Sequence, residues 1–171
     1  MAIAFGGTRA NMKIGNMRYT FNSVDLGYTD ELEVNFENEW YERMGDQTGS
    51  TILDMILSGQ KSSLTVMIKE FTVANINKVM LGGTLAVNLF EWGGSLAGGL
   101  AALTSAATIT LHPLDVDDAT LTSDHNFFKA APIAIAGVKM TSKGDQVLPV
   151  TFRVLGDTAK ARGKQHYSYG A

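Results

Sequence analysis

The sequence predicts a mainly β fold, a β-sandwich or barrel in one domain with a single flanking α-helix. Three observations carry this. Apolar and polar residues alternate with period 2 in segment after segment. Only one stretch has a convincing helical period. Clusters of Gly, Asp and Ser separate the periodic runs, at Gly27, Gly45–Asp46, Ser58–Gly59, Gly93–Gly99, Asp115–Asp118, Ser142–Asp145 and Gly156–Asp157.

Taken in order, "NMRYTFNSVDL" sets Tyr19 and Phe21 on one face against Arg18, Thr20 and Asn22. The next run, "DELEVNFENEWYERM", alternates Leu32, Val34 and Phe36 with Glu31, Glu33, Glu37 and Glu39. In "SSLTVMIKEF", Leu64, Val66 and Ile68 oppose Thr65, Met67 and Lys69. The segments "TLAVNLFEW", "ATITLHPLDV", "APIAIAGVKM" and "VLPVTFRVL" continue the pattern, the last with Val150, Phe152 and Val154 against Thr151 and Arg153. The spacing predicts a helix over 72–81: Thr72 can cap it, Val73, Ile76, Val79 and Met80 form its stripe, and Gly82 and Gly83 end it. "TILD" before "MIL" fits a capping box, but equally an extended loop arm.

A chain of 171 residues is long enough to bury a core, and at 45% apolar residues it is a globular chain, not a disordered one. The formal charge of −3 gives no basic excess for binding nucleic acid through phosphate contacts. The absence of cysteine excludes disulfides, thiol catalysis and thiolate zinc sites. The opening "MAIAFGGTRANMKIG" lacks a basic region followed by a long apolar one, so no signal peptide is expected. The most apolar long stretch, Gly93–Leu111, is too rich in Gly, Ser and Thr to cross a membrane.

Catalytic and metal-binding patterns are weak. His112, His125 and His166 show no ligand spacing and read as structural or solvated. "DVDDATLTSD" has the acids of a calcium loop, but Thr120 stands where the turn needs Gly and Asn126 where a Glu is required, so it reads as a polar turn. "GGSLAGGL" lacks the Lys-Ser/Thr of a phosphate loop. Glu37 and Glu39, about 7 Å apart on one strand face, lie within the carboxylate spacing of inverting glycosidases. Yet catalytic pairs flank a substrate from different elements, and aromatic subsites are few. An enzyme is not expected, and neither is any cofactor.

The acidic strand has a plain reading as the solvated face of an antiparallel sheet. Such a face normally mixes signs. In this run Asp30, Glu31, Glu33, Glu37, Glu39, Glu42 and Asp46 stand against Arg43 alone, and like charges on one strand face repel.

Several motifs in order resemble the tail tube proteins of tailed bacteriophages, also called major tail proteins. They are "DLG" at Asp25–Gly27 followed by the alternating strand, "DQTGSTILDMILSG" from Asp46 to Gly59, a strand ending in "KEFT" that runs into a short helix, then "LHPL", "DHNFFKAAP" and "LPVTFRVLGD". The likeness spans about Asn16 to Asp157, and it rests on order and spacing more than on any one motif.

The resemblance implies a structural, self-assembling subunit of a virion tail. Rings of six copies would join their inner sheets into a continuous β-barrel, and stacked rings would conduct double-stranded DNA without binding it specifically. Partners would be further copies of the chain, a tail tip or baseplate initiator, a tail terminator and a tape measure protein, with no membrane; assembly would take place in the host cytoplasm. Glu31, Glu33, Glu37 and Glu39 would face the channel, on the order of 24 carboxylates per six-fold ring, and would repel DNA within about 8 Å at physiological salt.

A loop over about Trp40–Lys61 would contact neighbours through Trp40, Tyr41, Asp46, Ile52, Leu53, Met55, Ile56 and Leu57, since apolar residues on a loop mark an interface. The N-terminal arm, about 1–15, and the C-terminal tail, about 157–171, would serve the same purpose or fray as polar ends. The same architecture serves as the inner tube of contractile particles, gene-transfer particles and secretion systems, which is the alternative reading. A secreted glycan-binding β-sandwich is the competitor from another class, and it would call for a signal sequence.

Overall fold

Among the described residues, seven strands form a single antiparallel path in the order β2 (Val24–Asp25), β1 (Met17–Phe21), β7 (Ala107–Pro113), β8 (His125–Ile135), β9 (Leu148–Val154), β4 (Ile52–Ile68) and β3 (Thr29–Met44), and β10 (Tyr167–Tyr169) pairs with β8 beside it. The computed structural model describes residues 17–44, 51–70, 72–81, 83–86, 89–92, 102–135, 137, 144 and 146–170. Its elements are β1 (Met17–Phe21), β2 (Val24–Asp25), β3 (Thr29–Met44), β4 (Ile52–Ile68), α1 (Val73–Val79), β5 (Gly83–Ala86), β6 (Leu89–Trp92), β7 (Ala107–Pro113), β8 (His125–Ile135), β9 (Leu148–Val154) and β10 (Tyr167–Tyr169). The chain is mainly β, with one α-helix among the described residues.

The alternation read from the sequence sets the core. Tyr19 and Phe21 of β1, Leu64, Val66 and Ile68 of β4, Ile109 and Leu111 of β7, and Val150, Phe152 and Val154 of β9 are all buried. Each strand thus turns one face inward and leaves the other polar. The Phe21 and Phe152 rings are 5.2 Å apart although β1 and β9 are not neighbours in the sheet, so the sheet curves enough to bring its inner faces together.

Bends and turns do this work. β1 and β2 are joined by Asn22 and Ser23, both at positive φ (52° and 61°), with Phe21 opposite Val24. That is the primed two-residue hairpin, whose twist matches the strands. The sequence reading ran this stretch on as one strand, because Asn-Ser is a weaker turn signal than Asn-Gly. β8 bends at Lys129, whose φ is +46°. The Lys129 ammonium bonds Asp157 at 2.9 Å, and the Leu155 amide donates to the Lys129 carbonyl at 3.0 Å, which holds the bend. N-terminal to it β8 pairs with β10, and C-terminal to it with β9.

The helix forms where the period predicted it. The Thr72 hydroxyl accepts the Asn75 amide at 3.1 Å, capping the first turn. Val79 is buried beneath it, and Asn75 is buried too, its side-chain amide donating to the Leu26 carbonyl at 3.2 Å. Gly82 lies outside the described residues. "TLAVNLFEW", read as one strand, is two: β5 and β6 pair antiparallel with Ala86 opposite Leu89.

The largest departure concerns Trp40–Lys61, expected as a loop. Its described part is strand over Trp40–Met44 and Ile52–Lys61: β3 and β4 pair from Leu32–Val66 to Met44–Ile52, with a register shift at Glu39/Trp40 and another at Arg43/Met44, and residues 45–50 lie outside the described residues. The helical alternative for "TILD" fails for the same reason, since Ile52–Asp54 opens β4.

Candidate self-assembly surface

β3 is a sixteen-residue strand at the end of the sheet order, and among the described residues its only strand partner is β4. A row of backbone N–H and C=O groups on its far side therefore has no ladder partner among the described residues. An edge this long is a template for another strand. β4 in turn pairs with β9 only over Ser62–Ile68. Beyond Ser62 the β3–β4 pair runs on as a two-stranded ribbon, with no third strand beside it among the described residues.

That ribbon is apolar on both faces. Phe36, Trp40, Tyr41 and Met44 of β3 and Ile52, Leu53, Met55, Ile56 and Leu57 of β4 are all exposed, Trp40 by 51% and Tyr41 by 63%. Isolated two-stranded ribbons are marginal in water, and exposed apolar patches of this kind mark interaction surfaces. The expected contact residues Trp40, Tyr41, Ile52, Leu53, Met55, Ile56 and Leu57 are thus brought together on one arm, but on strands. Asp46 lies outside the described residues, as does the N-terminal arm at 1–15.

A bulge decides which residues share a face. The register passes from Glu39↔Gly59 to Trp40↔Leu57, leaving Ser58 as the extra residue on β4. Its hydroxyl donates to the Glu39 carbonyl at 3.0 Å. Cross-strand partners lie on the same face, so Trp40, Leu57, Glu42 and Met55 form one surface, continuous along β3 with the inner face of Val34 and Phe36. Tyr41 and Ile56, with Arg43 and Asp54, form the other.

The alternation puts Phe36 on the core face with Leu32 and Val34. Its ring does stack on Phe127, 6.2 Å away, and meets Tyr167 edge-on at 5.5 Å, yet it remains 59% exposed. It marks the rim where the core gives way to the arm. Beyond it, Asn38 and Gln60 bridge the strands with a 3.0 Å hydrogen bond, a polar belt between the core and the distal apolar patch.

Glu33, Glu37 and Glu39 lie on the outward face, as the alternation required, and Glu31 is exposed within the register shift between Thr29 and Leu32. The expectation that this face has almost no positive charge is corrected. Lys61 pairs opposite Glu37 and bonds the Glu39 carboxylate. Gly59 makes room for that contact, because a Cβ there would sit 2.8 Å from Glu39 Oε2. Arg153 stands beside Ser63, itself opposite Asn35, and shares a shallow recess with Glu37 and Lys61. Four carboxylates, three exposed and Glu39 half-buried, therefore face two cations, and Asp30 bonds Lys69 at 3.3 Å. The pairing that supplies Arg153 joins residues about ninety apart, so no local reading could reveal it.

The C-terminal segment, read as a free arm or a frayed end, instead folds back on its own body. Tyr167–Tyr169 pair with Phe127–His125, the Phe128 amide donates to the His166 carbonyl at 3.0 Å, and Lys160 sits 4.5 Å over the Phe128 ring. Between this strap and the base of the arm runs a groove of about 610 Å³. Asn38, Gln60 and Ser62 lie along it, with Phe36, Leu57 and Tyr167 as its apolar part and Arg162 on the strap side.

The histidines hold structure. His112 and Asp124, each only 4% exposed, meet at 2.7 Å, and the Asp124 hydrogen bond raises the His112 pKa against the opposing effect of burial. His125 Nδ1 lies 2.7 Å from the Tyr167 hydroxyl, and burial lowers its pKa. His166 Nδ1 lies 3.5 Å from the Ser62 hydroxyl. The acids of Asp115–Asp124 serve the turn: Asp117 accepts the Ala119 amide at 2.8 Å and Asp118 bonds Arg18 at 3.0 Å. Among the described residues no three His, Cys, Asp or Glu side chains cluster as metal ligands, and no helix is long and apolar enough to cross a membrane.

No protein-family model matches this sequence, and no curated protein matches it.

Proposed function

We propose that the chain is a structural subunit that assembles with copies of itself into stacked rings, the tube of a bacteriophage tail, through which double-stranded DNA passes. One observation carries the self-assembly: a sixteen-residue strand, partnered on one side only among the described residues, runs out into a ribbon apolar on both faces. As a monomer this leaves two liabilities, an aggregation-prone edge and a poorly supported ribbon. Closing a ring edge to edge removes the first, and seating the arm on a neighbour removes the second. The ordered motifs from Asp25–Gly27 to "LPVTFRVLGD" support the choice of a tail tube among self-assembling β proteins.

In this reading the sheet curves into a sandwich whose β3–β4–β9 outer face lines the channel. Its polar side chains, with a small excess of carboxylate over Lys61 and Arg153, give a polyanion little to bind. The particle is a virion tail; its nucleating tip protein, terminator and tape measure protein complete the set of partners.

Electron microscopy of the purified chain, with and without a tail-tip initiator, tests the proposal. Rings or stacked tubes with an open centre are the expected result. A monodisperse monomer at high concentration under both conditions would exclude it.

A further inference from the structure

A recess of about 540 Å³ lies at the other end of β3 from the arm, where β1, β2 and the start of β3 meet Glu70 and α1. We propose that it is a binding site for an alkylguanidinium cation, carried by an arginine side chain or by a small free molecule. Glu70 and Asn75 hold the planar head, and Tyr28 stacks on it. The site is separate from the self-assembly surface and does not depend on the ring reading.

Unanswered acceptors line the recess. Arg18 is there too, but its guanidinium bonds Asp118 at 3.0 Å, and Asp30 bonds Lys69. Asp25 and Glu70 remain. Asp25 accepts the Gly27 amide, and neither carboxylate has an ion-pair partner among the described residues. Asn75 gives an independent sign of a missing donor. It is only 7% exposed, and its side-chain NH2 donates to the Leu26 and Glu70 carbonyls, which fixes the other atom as oxygen. That Oδ1 accepts no hydrogen bond among the described residues, yet it is not sealed from solvent. The opening that Asn75 lines is this recess. A buried acceptor so held, and left over, is matched by a donor brought from outside.

The remaining features select the kind of donor. Glu70 is half-buried, and its carboxylate fills the space that a Cβ on Gly27 would need. Its main-chain carbonyl is tied to Asn75, so the carboxylate and the free Oδ1 belong to one connected unit. A guanidinium presents its N–H groups as a planar fork that serves a carboxylate and a second acceptor together, whereas an ammonium is a compact, strongly hydrated point charge. Tyr28 lines the recess while 82% exposed, a ring free for a cation to stack on. Leu114, 62% exposed, and Met17 give apolar surface for an alkyl stem. Both unpaired charges are negative, which disfavours an anion.

Nuclear magnetic resonance titration of the dilute full chain tests the site. Agmatine is the free probe, and the blocked peptide acetyl-Gly-Arg-Gly-amide is the protein-borne one. Saturable binding in the millimolar range is expected, with shifts centred on the Gly27 amide and the Asn75 side-chain amide. Butylamine, which has the charge without the fork, should bind more weakly. Glu70→Gln should weaken the guanidinium about tenfold by removing a charged acceptor, and Tyr28→Ala about threefold. Tyr28 is too exposed to support the fold, so its variant stays informative should Glu70→Gln disturb the turn at Gly27. Glu37→Gln, which alters an unpaired carboxylate outside the recess, should change nothing. An affinity for the peptide above that for agmatine assigns the cation to a protein partner, and one no greater assigns it to a free molecule. The proposal is overturned if neither probe gives saturable shifts, or if butylamine binds as well as agmatine. It is equally overturned if the shifts spread over the outward glutamates of β3 and persist in Tyr28→Ala and Glu70→Gln.

Discussion

The Ser58 hydroxyl reaches 3.0 Å to the Glu39 carbonyl at the point where β3 and β4 slip by one residue. Because strand side chains alternate with period 2, one extra residue exchanges the two faces of everything beyond it. The bulge therefore puts Leu57 and Met55 on the side of Trp40. Deleting Ser58 removes the extra residue and leaves Trp40 opposite Leu57, whereas inserting one residue between Leu57 and Ser58 should move Ile56 and Asp54 to that side. Assembly, followed by sedimentation, should be lost or redirected. The unfolding free energy of the monomer should change little, because these residues have no core neighbours to lose.

The outward carboxylates bear on DNA passage more than on folding. Glu31, Glu33 and Glu37 form no ion pair among the described residues, whereas Glu39 is bonded to Lys61. Replacing the first three by lysine should leave tubes intact and make the wall basic. DNA should then bind with a strong salt dependence, and delivery should slow. An unchanged delivery rate in assembled tubes would place those residues outside the channel.

Among the described glycines, Gly27 is the least able to change. It adopts φ +74°, its amide donates to the Asp25 carboxylate at 2.8 Å, and an added Cβ would meet the Glu70 carboxylate at 1.8 Å. Gly27→Ala should cost about 1–2 kcal/mol for the left-handed backbone alone, and more until Glu70 moves. Urea unfolding of Gly27→Ala with Glu70→Ala should recover the part due to the carboxylate and leave the backbone part together with the 2.9 Å approach to the Cβ of residue 70.

The His112–Asp124 pair predicts a pH dependence. The Asp124 hydrogen bond raises the folded pKa of His112 above the unfolded value, which is about 6.5. Its contribution is therefore whole below that value and is lost as pH rises through the folded pKa. His125, whose pKa burial lowers, acts in the opposite sense: its contribution is present above the unfolded value and lost as pH falls. The difference in unfolding free energy between the parent and His112→Asn cancels His125. That difference should shrink steadily as pH rises from about 6. A gap independent of pH would show that the imidazolium form adds nothing.

Much of the fold was legible because burial on one side writes itself into alternation. Leu64, Val66 and Ile68 were assigned inward and Thr65 outward, and the structure places them so. Thr72 marked the start of the helix for a local reason, the orphan amides it caps. The arm was illegible for the same physical reason in reverse. Within one copy, neither face of Ile52–Leu57 is buried, so "ILDMIL" carries no period, and beside Ser58-Gly59 it reads as loop. The charge balance of the outward face was also hidden, since Arg153 reaches it only through the pairing of β4 with β9. The strap was missed because Tyr167–Tyr169 form only three pairs, too few to register as a strand.

Hydrogen exchange at the β3 backbone tests the central claim most directly. Amides of β3 that point away from β4 have no ladder partner among the described residues of the single copy and should exchange fast in dilute monomer. In assembled material they should become protected along the length of Thr29–Met44, while amides facing β4 change little. If assemblies form and the outward β3 amides still exchange at the monomer rate, the edge of β3 is not where copies join.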